Sequence, residues 1–178
     1  ISLLFGLLAV SCTFCAALTI TGSRPLAFLA AALLAFNPQF LFVSSYVNND
    51  SAATALGAAA FLLVAIELAT GPKRPALRGY LLMALLLGIG MLVKKATLPC
   101  LSVAALTILL TDARPLARRL RALGLLAAVA LLLASPYLIW NIAHYGDPLG
   151  LRVEQAANAL LPGPESFGGL WSYFSGTY

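Results

Sequence analysis

The sequence predicts an all-α membrane protein, a polytopic bundle of about six transmembrane helices. Three observations predict this fold. Hydrophobic residues make up 61% of the chain, charged residues make up only 10%, and long apolar runs alternate with short polar or basic segments. Soluble domains carry about 45–50% apolar and about 25% charged residues. Lipid is therefore the expected surrounding of most side chains, and membrane lipids are the first expected partner.

The apolar runs follow one another with a break after each. The first covers residues 3–20, and the second covers residues 26–36 and ends at Asn37-Pro38. Proline removes a backbone donor and disfavours helix at the preceding residue, so residues 40–47 are either the kinked end of this helix or a segment in the membrane interface. Asp50 or Ser51 is the predicted N-cap of the next run. The remaining runs cover residues 52–69, 80–93, 96–110 and 123–140.

The chain ends suggest a piece of a larger protein. It opens at Ile1 without a methionine and stops in an aromatic run at residues 169–178, so we expect truncation at both ends. We expect residues 1–140 to form the multi-span membrane domain. Residues 141–178 are more polar, and we expect them to form an extracytoplasmic loop or the start of the next segment.

Charge is distributed unevenly between the predicted loops. The net charge is +5, but the basic residues form short clusters between apolar runs, without the aromatic-interleaved basic face of nucleic-acid-binding proteins. By the positive-inside rule, Arg24 and the clusters at residues 73–78 and 114–121 face the cytoplasm. The opposite side then receives the residues Asp50, Lys94, Lys95, Asp147, Arg152, Glu154 and Glu165. Nucleic acid is not an expected partner, and this outer cluster is the candidate functional face.

Asn48, Asn49 and Asp50 form the first candidate site. Their carboxylate and amide oxygens suit a hard divalent cation such as Mg²⁺ or Mn²⁺, and they equally suit a sugar hydroxyl. The structural alternative is that Asp50 only caps its helix and complements the positive end of the helix dipole.

Lys94 and Lys95 interrupt an apolar stretch, where two shorter spans are predicted to meet. Ionisable residues at this depth are functional hypotheses by default, and a lysine ammonium group suits a phosphate oxygen. The alternative is a pair of lysines that extend to the interface as anchors. His144, beside Trp140, is a candidate base or ligand or an ordinary interfacial residue. No hydrolase, ATPase or zinc-protease motif is present.

Five short segments occur in order along the chain. They are residues 37–42 (NPQFLF), 47–50 (VNND), 88–97 (GIGMLVKKAT), 136–141 (PYLIWN) and 145–150 (YGDPLG). Together they resemble bacterial GT-C membrane glycosyltransferases, and most closely the branch similar to dolichyl-phosphate-mannose protein mannosyltransferases, glycosyltransferase family 39. The resemblance runs over the whole chain.

This resemblance implies a function and several site residues. Such enzymes transfer a sugar from a polyprenyl-phosphate donor to an acceptor on the extracytoplasmic face, with inversion, here in the bacterial cytoplasmic membrane. Asp50 matches the family's acidic position in the second external loop. Lys94 or Lys95 matches its lysine motif near the carrier phosphate, although Val93-Lys94-Lys95-Ala96 departs from the usual leucine-threonine-lysine.

The predicted site therefore has two parts. Asp50 and Asn49 are the expected catalytic positions, where they place the acceptor or a divalent ion. The expected substrate-binding residues are Asn48, Lys94, Lys95 and His144, and one of the two lysines neutralises the departing phosphate. No residue matches the family's first-loop aspartate, and Trp140 stands where an arginine is usual, so we expect the fragment to be inactive alone. The rival hypotheses are a transporter or flippase and a non-catalytic membrane scaffold.

Overall fold

The computed structural model describes residues 1–70, 77–111, 115–152 and 156. Within these ranges it contains seven α-helices and no strand, which confirms the all-α prediction. The helices are α1 (Ser2–Thr21), α2 (Arg24–Ala35), α3 (Pro38–Ser45), α4 (Asp50–Thr70), α5 (Leu77–Val93), α6 (Leu98–Thr111) and α7 (Leu116–Tyr145). A 3₁₀ turn, Lys95–Thr97, links α5 to α6.

Three of these helices, α1, α4 and α7, are long and apolar enough to cross a membrane. Helices α2 and α3 pass the same test as a pair, although they are bent by 63° at their break. Helices α5 and α6 are apolar but have only 17 and 14 residues, fewer than the roughly 20 that a full crossing needs. The described residues thus hold three or four long spans. The predicted number of about six is reached only if α5 and α6 are each counted as a span.

Helix ends follow local sequence signals. Helix α1 ends at Gly22, whose φ of 65° lies in the left-handed region that glycine adopts without strain. Helix α3 begins at Pro38, where the Oδ1 atom of Asn37 accepts a hydrogen bond of 3.1 Å from the backbone N–H of Phe40. The predicted break at Asn37-Pro38 is therefore present, and the segment after it is a short, separate helix.

The chain divides into two compact units, Ile1–Ser135 and Pro136–Tyr178, at the proline inside α7. In the first unit, α4 packs against α1, α5 and α6, and α1 also packs against α2 and α3. Its core joins α4, α5, α6 and the first half of α7, with fully buried side chains such as Met83, Leu87 and Leu126. Helix α4 is thus the central element against which the candidate site is built.

The second unit is described by itself. Helix α7 continues past Trp140 to Tyr145, and a turn with positive φ at Gly146 and Gly150 follows it. Residues 153–155 and 157–178 lie outside the described residues. The predicted loop at residues 141–178 is therefore described only in part, and the predictions for Glu154, Glu165, Lys73, Arg74 and Arg114 fall outside the described residues.

Candidate active site

An ion pair joins the start of α4 to the end of α5. The ammonium group of Lys94 contacts the carboxylate of Asp50, and the two side chains are 40% and 32% exposed, respectively. The pair brings together two residues that the sequence assigned to the same site. Both side chains are thus partly exposed, and the pair is accessible from outside the helix packing. An incoming charged group can therefore contact Lys94 or Asp50.

Asn48 provides the cap of α4. Its Oδ1 atom accepts hydrogen bonds from the backbone N–H groups of Asp50, at 2.9 Å, and Ser51, at 3.4 Å. The prediction that Asp50 or Ser51 supplies the cap is therefore wrong. Asparagine readily bonds to backbone two residues further on, and this satisfies the first N–H groups of the helix. The Asp50 carboxylate is consequently available to Lys94.

Asn49 ties the same segment to α5. Its Nδ2 atom donates a hydrogen bond of 2.8 Å to the backbone carbonyl of Val93, the last residue of α5. Its backbone carbonyl accepts from the N–H of Ala53 and so makes the first helical bond of α4. The predictions that Asn48 and Asn49 contact substrate stay predictions, and both side-chain amides already have protein partners.

Lys94 lies where the helical path is broken. Its backbone is extended, with φ of −160° and ψ of 128°, and its N–H makes a last helical bond of 2.8 Å to Gly90. Its carbonyl accepts from both the N–H and the hydroxyl of Thr97, at 3.1 and 2.9 Å. Two short helices do meet at the lysines, as the sequence predicts. Lys95 begins the 3₁₀ turn and is partly exposed.

Sequence reasoning did not single out Thr97. It is only 3% exposed, and it packs so closely over Gly90 that a Cβ atom at Gly90 would lie 3.1 Å from its Cγ2 atom. Its position could have indicated its role, because it lies three residues after the helix break at Lys94. At this spacing a threonine hydroxyl can donate a hydrogen bond to a backbone carbonyl.

A groove of about 780 Å³ extends from the ion pair. Its walls come from α1, α2, α3, α4, Thr97 of the 3₁₀ turn and the start of α6, and both Asp50 and Lys94 line it. On α4 the lining runs from Asp50 through Ala53, Gly57 and other small residues to Phe61, a distance of about 17 Å at 1.5 Å per residue. The sequence does not predict the groove, because it arises from how five helices and a 3₁₀ turn pack together.

The groove is mainly apolar with a few polar groups. Small or apolar residues such as Ala16 and Ala17 form most of its surface, and Thr13, Asn37 and Gln39 add uncharged polar atoms. Asp50 is the only carboxylate, and Lys94 the only basic residue, among the described residues that line it. The arrangement is that of a cleft for an apolar ligand with one charged end.

The divalent cation that the sequence suggests beside Asp50 stays a prediction. Within the described ranges, no three His, Cys, Asp or Glu residues come together. Asp50 is already paired with an ammonium group, and the amide oxygen of Asn48 accepts two backbone N–H groups. These contacts therefore add no support for Mg²⁺ or Mn²⁺ at this site.

His144 belongs to the second unit. Its ring stacks on Trp140 with centroids 3.8 Å apart, and its Nδ1 atom lies 2.9 Å from the Trp140 carbonyl oxygen. The side chain is exposed, as is that of Trp140. These contacts describe an aromatic pair on one helix face, and a substrate-binding role for His144 stays a prediction.

The turn after α7 is held by two polar side chains. Asn141 is 4% exposed and donates a hydrogen bond of 3.1 Å to the carbonyl of Pro148. The carboxylate of Asp147 accepts from the backbone N–H groups of Arg152 and Leu149, both at 3.0 Å. These hydrogen bonds, with that from Arg152 the largest cause, lower the pKa of Asp147. The conspicuous Gly-Asp-Pro sequence is thus accounted for by turn structure.

Comparison with known proteins gives one family. A family model described as dolichyl-phosphate-mannose-protein mannosyltransferase matches residues 1–140 of the 178 residues. No curated protein matches the chain significantly, and no solved structure does. The matched part contains the groove, the ion pair and both lysines.

Proposed function

Because the chain belongs to the dolichyl-phosphate-mannose-protein mannosyltransferase family of GT-C membrane glycosyltransferases, we propose that it serves glycosyl transfer from a polyprenyl-phosphate sugar. The acceptor is glycosylated on the extracytoplasmic face, here of the bacterial cytoplasmic membrane. The observation that carries this proposal is the Asp50–Lys94 pair at one end of a mainly apolar groove. A polyprenyl phosphate has the matching form, since an apolar chain ends in one anionic group.

The groove takes the first isoprene units of the donor. Apolar surface buried against protein contributes roughly 25 cal/mol per Å² where it leaves water, and in lipid the gain comes from packing instead. The small residues Ala53 and Gly57 leave the room for such a chain, and Phe61 lies at the far limit of the lining on α4. The tail therefore places the phosphate beside Lys94.

Lys94 then stabilises the leaving group. During transfer, the bond between the anomeric carbon and the donor phosphate oxygen breaks, a bond to the acceptor oxygen forms, and the acceptor hydroxyl gives its proton to the Asp50 carboxylate. The departing phosphate gains negative charge, which the Lys94 ammonium group offsets in a site of low polarity. Asp50 keeps the ammonium group oriented and is the groove carboxylate that can accept a hydrogen bond from an acceptor hydroxyl.

The distribution of charge supports the proposed extracytoplasmic position of the site. Arg24 is the first residue of α2, and Arg118, Arg119 and Arg121 lie in the first turns of α7. Basic residues at these ends favour a cytoplasmic position. The Asp50–Lys94 pair lies at the α3–α4 and α5–α6 connections, which alternate with those basic ends along the chain. This alternation supports an extracytoplasmic site.

The test uses the full-length protein in membrane vesicles supplied with radiolabelled mannosyl polyprenyl phosphate. We expect Asp50→Asn and Lys94→Ala to lower the release of polyprenyl phosphate by at least about tenfold, the loss given by one electrostatic contact to a developing charge. Ser11→Ala is the control, because Ser11 is exposed on α1 and its hydroxyl donates to the Leu7 carbonyl of the same helix. Unchanged release in both variants would contradict the proposal, as would lipid or solute movement in liposomes without any glycosyl product.

A further inference from the structure

We propose that Asn49 and Thr97 are positioning residues that hold Lys94 against Asp50 by fixing the two peptide groups on either side of it. The inference deepens the proposed function, on which it rests for the role of Lys94. It concerns the carbonyl groups of Val93 and Lys94, which accept hydrogen bonds from the side chains of Asn49 and Thr97, respectively.

The first contact fixes the peptide group before Lys94. The last carbonyl groups of an α-helix have no intrahelical partner, and the carbonyl of Val93 is one of them. Asn49 donates its Nδ2 hydrogen to this carbonyl at 2.8 Å, from 44 residues away in the sequence. Since Asn49 directly precedes Asp50, one short segment holds both the end of α5 and the carboxylate that Lys94 contacts.

The second contact fixes the peptide group after Lys94. The Lys94 carbonyl accepts the hydroxyl of Thr97 at 2.9 Å and its N–H at 3.1 Å. Thr97 is itself held, because it is buried and packs over Gly90 one turn before the end of α5. Gly90 permits this contact, since a Cβ atom there would lie 3.3 Å from both the Cβ and the Oγ1 atoms of Thr97.

These contacts matter because a lysine side chain is long and flexible. Its ammonium group stays near Asp50 only if the Cα position is well defined, and the extended backbone at Lys94 lacks the support of a continuing helix. Losing either contact lets the end of α5 fray and widens the range of positions of the ammonium group. A substrate phosphate would then meet a less well-placed charge.

The experiment combines kinetics with amide hydrogen exchange in the full-length protein. The variants are Asn49→Ala, which removes the donor, and Thr97→Val, which keeps the branched shape and removes the hydroxyl. Each is made alone and together with Lys94→Ala, with Ser11→Ala as the control. Turnover uses mannosyl polyprenyl phosphate, and exchange is followed at the amides of Lys94 and Thr97.

We expect each variant to lower kcat/KM about five- to tenfold, the effect of one lost hydrogen bond. In the Lys94→Ala background we expect less than about a twofold further loss, because residues that act through one group are not additive. Equal losses in both backgrounds, the result of a merely structural role, would overturn the proposal.

Hydrogen exchange separates this proposal from the proposed function. We expect exchange of the Lys94 amide to become faster in Asn49→Ala, and exchange of the amide at position 97 to become faster in Thr97→Val. Both effects are expected whether or not the protein transfers sugar. Unchanged exchange in both variants would overturn the positioning role on its own. Faster exchange in a protein that never uses the donor would support the positioning role and contradict glycosyl transfer.

Discussion

The carboxylate of Asp50 contacts the ammonium group of Lys94 across 44 positions of the sequence. Three consecutive residues build this contact, and each has a separate partner. Asn48 caps α4, Asn49 holds the carbonyl of Val93, and Asp50 reaches Lys94. The candidate site is thus formed by two helix ends that are bonded to each other, with the groove extending from them.

The two lysines should differ in their effect on turnover. Lys94 lines the groove and contacts Asp50, whereas Lys95 begins the next turn and is not among the groove residues. We expect Lys94→Ala to reduce donor turnover at least about tenfold more than Lys95→Ala does, because only Lys94 reaches the developing charge. Rates with mannosyl polyprenyl phosphate check this, and the opposite ranking would assign the phosphate to Lys95.

Filling the groove should weaken donor binding. Gly57 lines the groove, and within the described part of the chain the nearest contact of a Cβ atom placed there would be the Sγ of Cys100, at 3.4 Å. A leucine at this position therefore projects into space that the donor tail needs. We expect Gly57→Leu to raise the KM for the donor about tenfold, a steric cost of about 1.4 kcal/mol.

The matched control for Gly57→Leu is Gly124→Leu. Gly124 is exposed on α7, and a Cβ atom there would have no atom of the described residues within 4 Å. The same change in size is thus made away from the groove. Equal KM values for the two variants would show that the donor does not use the groove.

Helix α5 packs closely on α7 at Gly88. A Cβ atom at Gly88 would lie 2.8 Å from the Cδ1 of Leu133 and 3.2 Å from the Cα of Ala130. Because the second contact is with backbone, a side-chain rotation cannot relieve it. We expect Gly88→Ala to destabilise the protein by about 1–3 kcal/mol, visible as a lower unfolding temperature in detergent. An unfolding temperature at or above that of Gly124→Ala would refute this packing.

Much of the fold could be predicted because its causes are local. Apolar runs define the helices, Asn37-Pro38 separates α2 from α3, and the adjacent residues Lys94 and Lys95 separate α5 from α6. The grouping of Asp50 with Lys94 also followed from charge, since both fall in connections assigned to one side of the membrane. The direct contact between Asp50 and Lys94 agrees with their placement in one site. The catalytic roles of the two residues stay predictions.

Other features could not be predicted because they depend on three-dimensional packing. Asp50, Asn48 and Ser51 are all good cap residues, so the sequence could not show that Asn48 takes this role. The bond from Asn49 to Val93 depends on how α4 packs against α5. The groove likewise depends on the spacing of α1 and α4, and none of its small residues stands out in an alanine- and leucine-rich chain.

The turn at Asp147 should respond to acid. Its backbone hydrogen bonds lower the pKa of the carboxyl group, so it should titrate below the ordinary value of about 3.9. The stabilisation of the turn is then present above that ordinary value and is lost as the pH falls through the lowered pKa. Carbon NMR of the Asp147 carboxyl group across this range checks the prediction, and a midpoint at or above the ordinary value would contradict it.

Photo-crosslinking of a polyprenyl phosphate that carries a diazirine within its first few isoprene units tests the central claim most directly. The full-length protein is irradiated with this probe, and labelled residues are identified by mass spectrometry. We predict labels on groove residues of α1 and α4, such as Ala17 and Phe61, and a labelling yield that falls at least about fivefold in Lys94→Ala. Labels confined to exposed positions such as Leu3 and Leu4, with a yield independent of Lys94, would contradict the account.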